Sequence, residues 1–237
     1  MLSAKERHER FITAFNRIDK HLRKVTNKHK GVRMPDVIKS YLELHPGWKD
    51  VEAWRAYTSL RNVIEHERYG PYQYLFIPSE DAVRDIERIA QDLQIPTTVG
   101  SVFSREVVRV NLDTPLTKVL SLIHENSYSQ FPVCADGKCV GLLTENGITR
   151  WLSKHWNTLS PGDFSAVVVQ EVLEHEESRE NYLYVSTDTY VDDAFYLFRE
   201  RPLLEALLIT KDGESTTELL GIITPWDALQ ATESNNK

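Results

Sequence analysis

The stretch DTPLTKVLSLIHENSYSQFPVCADGKCVGLLTENGI, residues 113–148, decides the fold because the chain carries it twice. Its divergent second copy is DTYVDDAFYLFRERPLLEALLITKDGESTTELLGIITPWDA, residues 188–228. The extra residues of the second copy fall chiefly in the turn before its last apolar run, where insertions are tolerated. Such internal similarity indicates one structural unit present in two copies.

Each copy predicts the same order of elements. A strand and a helix capped by Asp113 or Asp188 are followed by a strand, an Asp-Gly turn, another strand and a final helix. The segments VGSVFS (99–104) and VQEVLE (169–174) precede the copies at matching positions. The runs FPVCA, CVGLLT, ALLIT and LLGIIT are continuously apolar, which is typical of strands covered on both faces. The repeats therefore predict a pair of α/β units.

The first 95 residues carry a helical pattern instead, with apolar positions three and four residues apart and no strand pattern. Ser79 is placed as the N-cap of the last helix. The predicted helices span about 5–29, 35–44, 50–67 and 79–95. Four helices in this length predict a small bundle.

Charge is divided unevenly along the chain. The formal charge is −7, but residues 1–95 carry 17 Lys and Arg against 14 Asp and Glu, and residues 96–237 carry 11 against 21. This contrast is typical of two modules with different partners. A basic face suits nucleic acid, although a solvated helix face is the commoner explanation. The predicted fold class is α+β: a helical bundle over 1–95, an α/β sandwich-like repeat pair over 96–232, and a tail over 233–237.

Composition limits the classes of protein further. No apolar run approaches the ~18 residues that a membrane span needs, and the charged N-terminus lacks a signal-peptide core, so we expect no membrane partner and a cytoplasmic location. Cys134 and Cys139 are the two cysteines, which excludes a disulfide framework and a four-cysteine zinc site. We expect both to be reduced residues that face each other across a hairpin, and we expect no metal requirement.

The ordered motif series of the two copies resembles a CBS repeat, and two such repeats in tandem resemble a Bateman module. The first repeat covers about 97–155 and the second about 165–232. The resemblance implies a regulatory ligand in a cleft between the repeats. That ligand is an adenine nucleotide (AMP, ADP or ATP) or a related adenosyl compound.

Thr224 and Asp227 carry the ribose-binding pattern that this resemblance implies. They stand in T-x-x-D order where a strand meets the last helix, and the carboxylate can accept hydrogen bonds from both ribose hydroxyls. The alternative is that Asp227 only caps that helix. Five apolar residues are expected to wall the purine ring. They are Val172, Val185, Ala206, Leu207 and Ile222.

The first repeat departs from the pattern because Gly147 stands where the second has Asp227. We therefore expect one occupied site, in the second repeat. Arg199 and Arg201 precede a strand of that repeat and are candidates for phosphate contacts.

The segment LRNVIEHERYG at the end of the third predicted helix resembles the HEPN family of helical bundles, in which R-x4–6-H marks an RNA-cleaving site. The resemblance covers about residues 5–94 and implies a homodimer, with Arg61, Asn62 and His66 as catalytic residues of a metal-independent endoribonuclease. Arginine can clamp phosphate, and histidine can act as acid or base. Alternatively, Arg61 forms a surface ion pair with Glu65, and His66 only interacts favourably with a helix C-terminus.

Three functional hypotheses remain open at this point. The first is a nucleotide-regulated ribonuclease, in which the repeats sense a purine ligand and control an RNA-cleaving bundle. The second is a non-enzymatic sensor or adaptor, in which the bundle dimerises or binds a partner. In the third, the repeats are a degenerate scaffold.

Overall fold

The two sequence patterns correspond to two folded units. The structure is a computed structural model. It describes residues 2–66, 68–70, 73–74, 77–135, 138–157, 163–174 and 181–234. Residues 1–97 form one unit and residues 98–237 the other. The first is mainly helical and the second combines helices with two three-stranded sheets, so the mixed class is confirmed.

The N-terminal unit contains the four helices that the sequence predicts. They are α1 (Ala4–Val25), α2 (Met34–Leu44), α3 (Val51–His66) and α4 (Glu80–Gln94). A small antiparallel pair follows α3: β1 (Arg68–Gly70) and β2 (Gln73–Tyr74). The expectation of no strand in this region is therefore wrong, because runs this short show no alternating pattern.

Helix ends in this unit follow local chemistry. Ser79 is the N-cap of α4, as predicted, and its hydroxyl accepts a hydrogen bond from the Ala82 N–H at 3.1 Å. In contrast, α1 ends at Val25 rather than near residue 29. The reason is Asn27, whose φ of 53° lies in the left-handed region that ends a right-handed helix.

The apolar stripes of the four helices meet in a single core. Trp54 is fully buried at its centre and stacks on Phe15, with ring centroids 4.4 Å apart. Among the residues that the structure describes, the indole N–H of Trp54 has no hydrogen-bond partner. The core also includes Phe11, Ile18, Leu22, Val37, Ile38, Tyr41, Ile64, Val83, Ile86, Ile89 and Leu93.

The C-terminal unit repeats one set of elements. Its first part contains α5 (Val99–Phe103), β3 (Val110–Asn111), α6 (Leu116–Asn126), β4 (Gln130–Ala135), β5 (Lys138–Thr144) and α7 (Glu145–His155). Its second part contains α8 (Val169–Leu173), β6 (Tyr182–Ser186), α9 (Val191–Glu200), β7 (Ala206–Thr210), β8 (Leu219–Ile223) and α10 (Pro225–Ser234). The sheets are ordered β3-β4-β5 and β6-β7-β8, and in each the first strand is parallel and the last antiparallel to the middle one.

The short helices α5 and α8 each pack on the sheet of the other repeat. The Val99 N–H of α5 donates to the carbonyl of Thr189 at 2.8 Å, in the second repeat. Conversely, the Val169 N–H of α8 donates to the carbonyl of Thr114 at 2.9 Å, in the first. The repeats are thus interlocked, which linear alignment of the two copies does not reveal.

The prediction that Asp113 and Asp188 cap the two long helices is wrong. These helices begin three residues later, at Leu116 and Val191. At the start of α6 a backbone carbonyl from the segment before α8 takes the place of a side-chain cap. The Leu116 N–H donates to the carbonyl of Val167 at 2.9 Å.

The two sheets also share a buried apolar cluster. Cys134 and Cys139 pair across β4 and β5, as predicted, as free thiols with Sγ atoms 3.1 Å apart. Burial raises the pKa of Cys139 to about 12, and the hydrogen bond with Cys134 adds to this shift, so the thiol stays protonated at neutral pH. The Tyr184 hydroxyl donates to the Cys139 carbonyl at 3.0 Å and joins the repeats.

Candidate functional site

The junction between β8 and α10 places Thr224 and Asp227 together. One carboxylate oxygen of Asp227, Oδ2, accepts hydrogen bonds from the Thr224 N–H at 2.8 Å and from the Thr224 hydroxyl at 2.7 Å. Accepting the N–H of the residue that precedes a helix is half of a capping box, so the capping alternative describes this contact correctly. A carboxylate has about four acceptor positions, which leaves capacity for further donors.

The other oxygen of the same carboxylate contacts a residue that sequence reasoning missed. An Nη2 donor of Arg105 lies 3.3 Å from Oδ1 of Asp227. The Asp227 side chain is 16% exposed and that of Arg105 is 58% exposed. The site therefore combines a mostly buried carboxylate, a hydroxyl and an exposed cation. Arg105 and Asp227 are 122 residues apart, so no local pattern links them.

The first repeat has a different arrangement at the matching position. Thr144 is 1% exposed, and its hydroxyl accepts a hydrogen bond from the Gly147 N–H at 3.0 Å. There the threonine is itself the cap of α7, whereas Thr224 donates to a carboxylate. The sequence difference between the repeats thus produces two junctions with different chemistry.

The five predicted wall residues are not brought together. Ala206 and Ile222 belong to the cluster shared by the two sheets. Val185 and Leu207 lie on the opposite side, in a cluster with residues of α5 and α9. Val172 is buried against the sheet of the first repeat, because α8 is exchanged. Side chains alternate between the two faces of a strand, so Ala206 and Ile222 share one face of the second sheet and Val185 and Leu207 share the other.

The N-terminal unit contains a cationic cleft, with a volume of 810 Å³, between α1, α2 and α3. Its described lining includes five cationic side chains and one acidic side chain, Asp19. The cations are Arg23, Lys30, Arg33, Arg55 and Arg61. Apolar side chains such as Phe15 and Met34 line it as well. Three of these cations form ion pairs, Arg23 with Asp19, Arg33 with Asp36 and Arg55 with Glu52, so part of the positive charge of the cleft is neutralised.

Arg61 and Asn62 both line this cleft. The Arg61 guanidinium carbon lies 5.7 Å from the centre of the Phe15 ring, and its buried Nε has no hydrogen-bond partner within the described part of the chain. His66 ends α3, but its side chain and that of Glu65 lie outside the described part of the structure. The geometry of the predicted catalytic set, and the alternative ion pair, therefore remain predictions.

Within the part of the chain that the structure describes, no helix is long and apolar enough to cross a bilayer. The same residues contain no group of three or more His, Cys, Asp or Glu side chains that could hold a metal ion.

The comparisons identify the repeated unit. Two interlocked α/β copies, each with a three-stranded sheet, define a tandem-repeat module. The CBS domain family model matches residues 99–154 and 169–234, and the chain belongs to that family. The match does not extend to the N-terminal bundle, so its HEPN resemblance remains a prediction. Curated proteins give no match to the chain.

Several solved structures resemble the chain. CBSX2 in complex with AMP is 20% identical, with 59% of this chain and 98% of that chain covered and a TM-score of 0.45. The CBS domain pair of MJ0100, in complex with 5′-methylthioadenosine and S-adenosyl-L-methionine, is 15% identical, with coverages of 60% and 99% and a TM-score of 0.44. The CBS domain of a membrane protein from Sphaerobacter thermophilus is 18% identical, with coverages of 62% and 95% and a TM-score of 0.45.

Proposed function

We propose that the chain is a regulatory protein whose second repeat binds an adenine nucleotide or a related adenosyl ligand at Thr224 and Asp227. The observation that carries the proposal is the mostly buried Asp227 carboxylate. Thr224 donates two hydrogen bonds to one of its oxygens, and the carboxylate can accept further ones. Two vicinal ribose hydroxyls are donors suited to such a carboxylate, because hydrogen bonds to an ionised acceptor are strong. Ala206 and Ile222 are the wall residues that we retain.

The difference between the two strand-to-helix junctions supports a single ligand site per chain. In the first repeat Gly147 supplies only a backbone N–H, and the buried Thr144 hydroxyl already accepts it. Position 147, which matches Asp227, therefore offers no carboxylate to ribose hydroxyls.

A monophosphate suits the second repeat better than a triphosphate. Residues 96–237 carry 11 cationic and 21 acidic side chains, so a polyphosphate would experience net repulsion from its surroundings. AMP is therefore the first ligand to test, with ADP, ATP and S-adenosylmethionine beside it.

Thermal unfolding of the full chain with each ligand tests the proposal. A ligand at about 100 times its Kd stabilises the folded state by about 2.7 kcal/mol, which should raise Tm by several degrees. Asp227→Asn should weaken binding by about tenfold to a hundredfold, because it removes the charge from the acceptor. Asp188→Asn is the matched control, because Asp188 is an exposed carboxylate of the same repeat. No stabilisation by any of the four ligands, or equal stabilisation of Asp227→Asn and wild type, would contradict it.

We propose a second candidate function for the bundle, metal-independent RNA cleavage by a homodimer, and the cationic cleft favours it. Arg61 lines this cleft with a guanidinium group, which is the side chain best suited to clamp a phosphate, and Asn62 beside it is exposed. On one helix Arg61 and His66 lie about 140° apart, so two copies facing each other would supply a clamp and an acid or base more readily than one. Regulation then requires the nucleotide to bind one arrangement of the chain better than another.

Cleavage of single-stranded RNA in the presence of a chelator tests this candidate. Arg61→Ala should reduce the rate about a hundredfold, since electrostatic stabilisation of the transition state is lost. Arg10→Ala is the control, because Arg10 pairs with Glu87 outside the cleft. Inactivity of the wild-type protein with and without AMP would exclude the enzyme and leave a non-enzymatic sensor or adaptor.

A further inference from the structure

We infer that Arg105 binds the phosphate of the bound nucleotide. On binding, the ion pair between Arg105 and Asp227 is broken, so that Asp227 contacts the ribose and Arg105 contacts the phosphate. The inference rests on the proposed function, because it concerns the same site in the second repeat. It assigns a specificity-determining role to a residue that belongs, by sequence, to the first repeat.

The backbone around Arg105 is fixed beside the site. After α5 the chain pairs with β8, where Ser104 bridges Gly221 and the Arg105 N–H donates to the Leu220 carbonyl at 3.1 Å. Gly221 permits this approach, because a Cβ there would lie 2.3 Å from the Phe103 carbonyl oxygen. Arg105 is therefore positioned by main-chain contacts and does not depend on Asp227 for its place.

The side chain of Arg105, unlike its backbone, is loosely held. It is 58% exposed, and its contact with Asp227 is a single 3.3 Å interaction, whereas Thr224 makes two shorter ones to the same carboxylate. An ion pair with one well-exposed partner contributes little to the free energy of unfolding, so ribose hydroxyls can replace it at low cost. The released guanidinium then lies within one side-chain length of the ribose and can form a charge-assisted, bidentate contact with a phosphate.

Of the two cations suggested by the sequence, Arg199 and Arg201, the first contacts an aromatic ring in the structure. The guanidinium carbon of Arg199 lies 5.7 Å from the centre of the Tyr196 ring, on the same helix. Arg105 is instead in direct contact with the proposed ribose acceptor. The phosphate contact therefore comes from the segment that follows α5, so a bound nucleotide would bridge that segment and α10.

Calorimetric titration of the full chain with adenosine and with AMP tests the role of Arg105. The expected result for Arg105→Ala is an AMP affinity about tenfold lower and an adenosine affinity that is unchanged or higher, because only the phosphate contact is lost. Arg105→Lys should retain part of the preference for AMP. Arg109→Ala, an exposed cation of the same segment, should leave both affinities within about twofold of wild type. Thermal unfolding without ligand checks that each variant is folded.

Each other outcome overturns the inference. Equal loss of both affinities in Arg105→Ala would make Arg105 a structural residue of the site, and a gain for both would make it only a competitor for Asp227. If wild type binds AMP, Asp227→Asn abolishes binding and Arg105→Ala changes nothing, the inference fails while the proposed function stands. If wild type binds neither ligand, both fail together.

Discussion

Replacing Gly221 by alanine is expected to lower the free energy of unfolding of the C-terminal unit by about 3 kcal/mol, at the upper end for overpacking. The new Cβ would lie 2.3 Å from the carbonyl oxygen of Phe103 and 3.0 Å from a side-chain carbon of Ile209. Because the oxygen belongs to a backbone that is paired with β8, it cannot move aside without breaking the Ser104 bridge and the hydrogen bond of Arg105. Chemical denaturation monitored by tryptophan fluorescence measures the change.

Gly141→Ala is the matched control because Gly141 holds the equivalent position in the first repeat. There the nearest atom to a new Cβ is a terminal carbon of the Leu173 side chain, at 2.9 Å. A side chain can rotate away, so we expect a cost of about 1 kcal/mol or less. Equal losses of unfolding free energy for Gly221→Ala and Gly141→Ala would contradict the close backbone contact between the segment that follows α5 and β8.

The largest loss in the bundle is expected for Trp54→Ala, about 3–5 kcal/mol of unfolding free energy. Trp54 is fully buried and its ring stacks on Phe15, which in turn supports Arg61 at the cleft. Removal of the indole leaves a cavity beneath the cationic cleft. Urea denaturation of the full chain, followed by circular dichroism at a helix-sensitive wavelength, measures the loss.

Trp54→Phe separates packing from polarity at the same position. The buried indole N–H has no hydrogen-bond partner among the residues described, so its removal relieves a cost of about 1–3 kcal/mol and offsets part of the lost contact area. We expect this variant to be clearly more stable than Trp54→Ala. If the two variants are equally unstable, the N–H has a partner and the core around Trp54 differs from the one described.

The repeat pair could be predicted from sequence because its signal is local and occurs twice. Continuous apolar runs and matched turns identify the strands, and the stripes of the four helices identify the bundle. The exchange of α5 and α8 could not be predicted, since alignment assigns a segment to its neighbour in sequence. The misassigned caps have the same origin: Asp113 has the right residue type, but a backbone carbonyl from another part of the chain closes the helix.

The candidate site shows a similar limit. Thr224 and Asp227 are three residues apart and their contact follows from the strand-to-helix junction. The predicted walls include neighbouring residues such as Ala206 and Leu207, which lie on opposite faces of one strand. Arg105 carried no local signal, because its position depends on the backbone pairing of a distant segment with β8.

The stoichiometry of AMP binding to the full chain, measured by isothermal titration calorimetry, tests the central claim that the two repeats are unequal and that the second holds the nucleotide. The account predicts a single AMP per chain for the wild-type protein and for Asp188→Asn, and an affinity about tenfold to a hundredfold lower for Asp227→Asn. Two AMP molecules per chain, or an unchanged titration of Asp227→Asn, would contradict it.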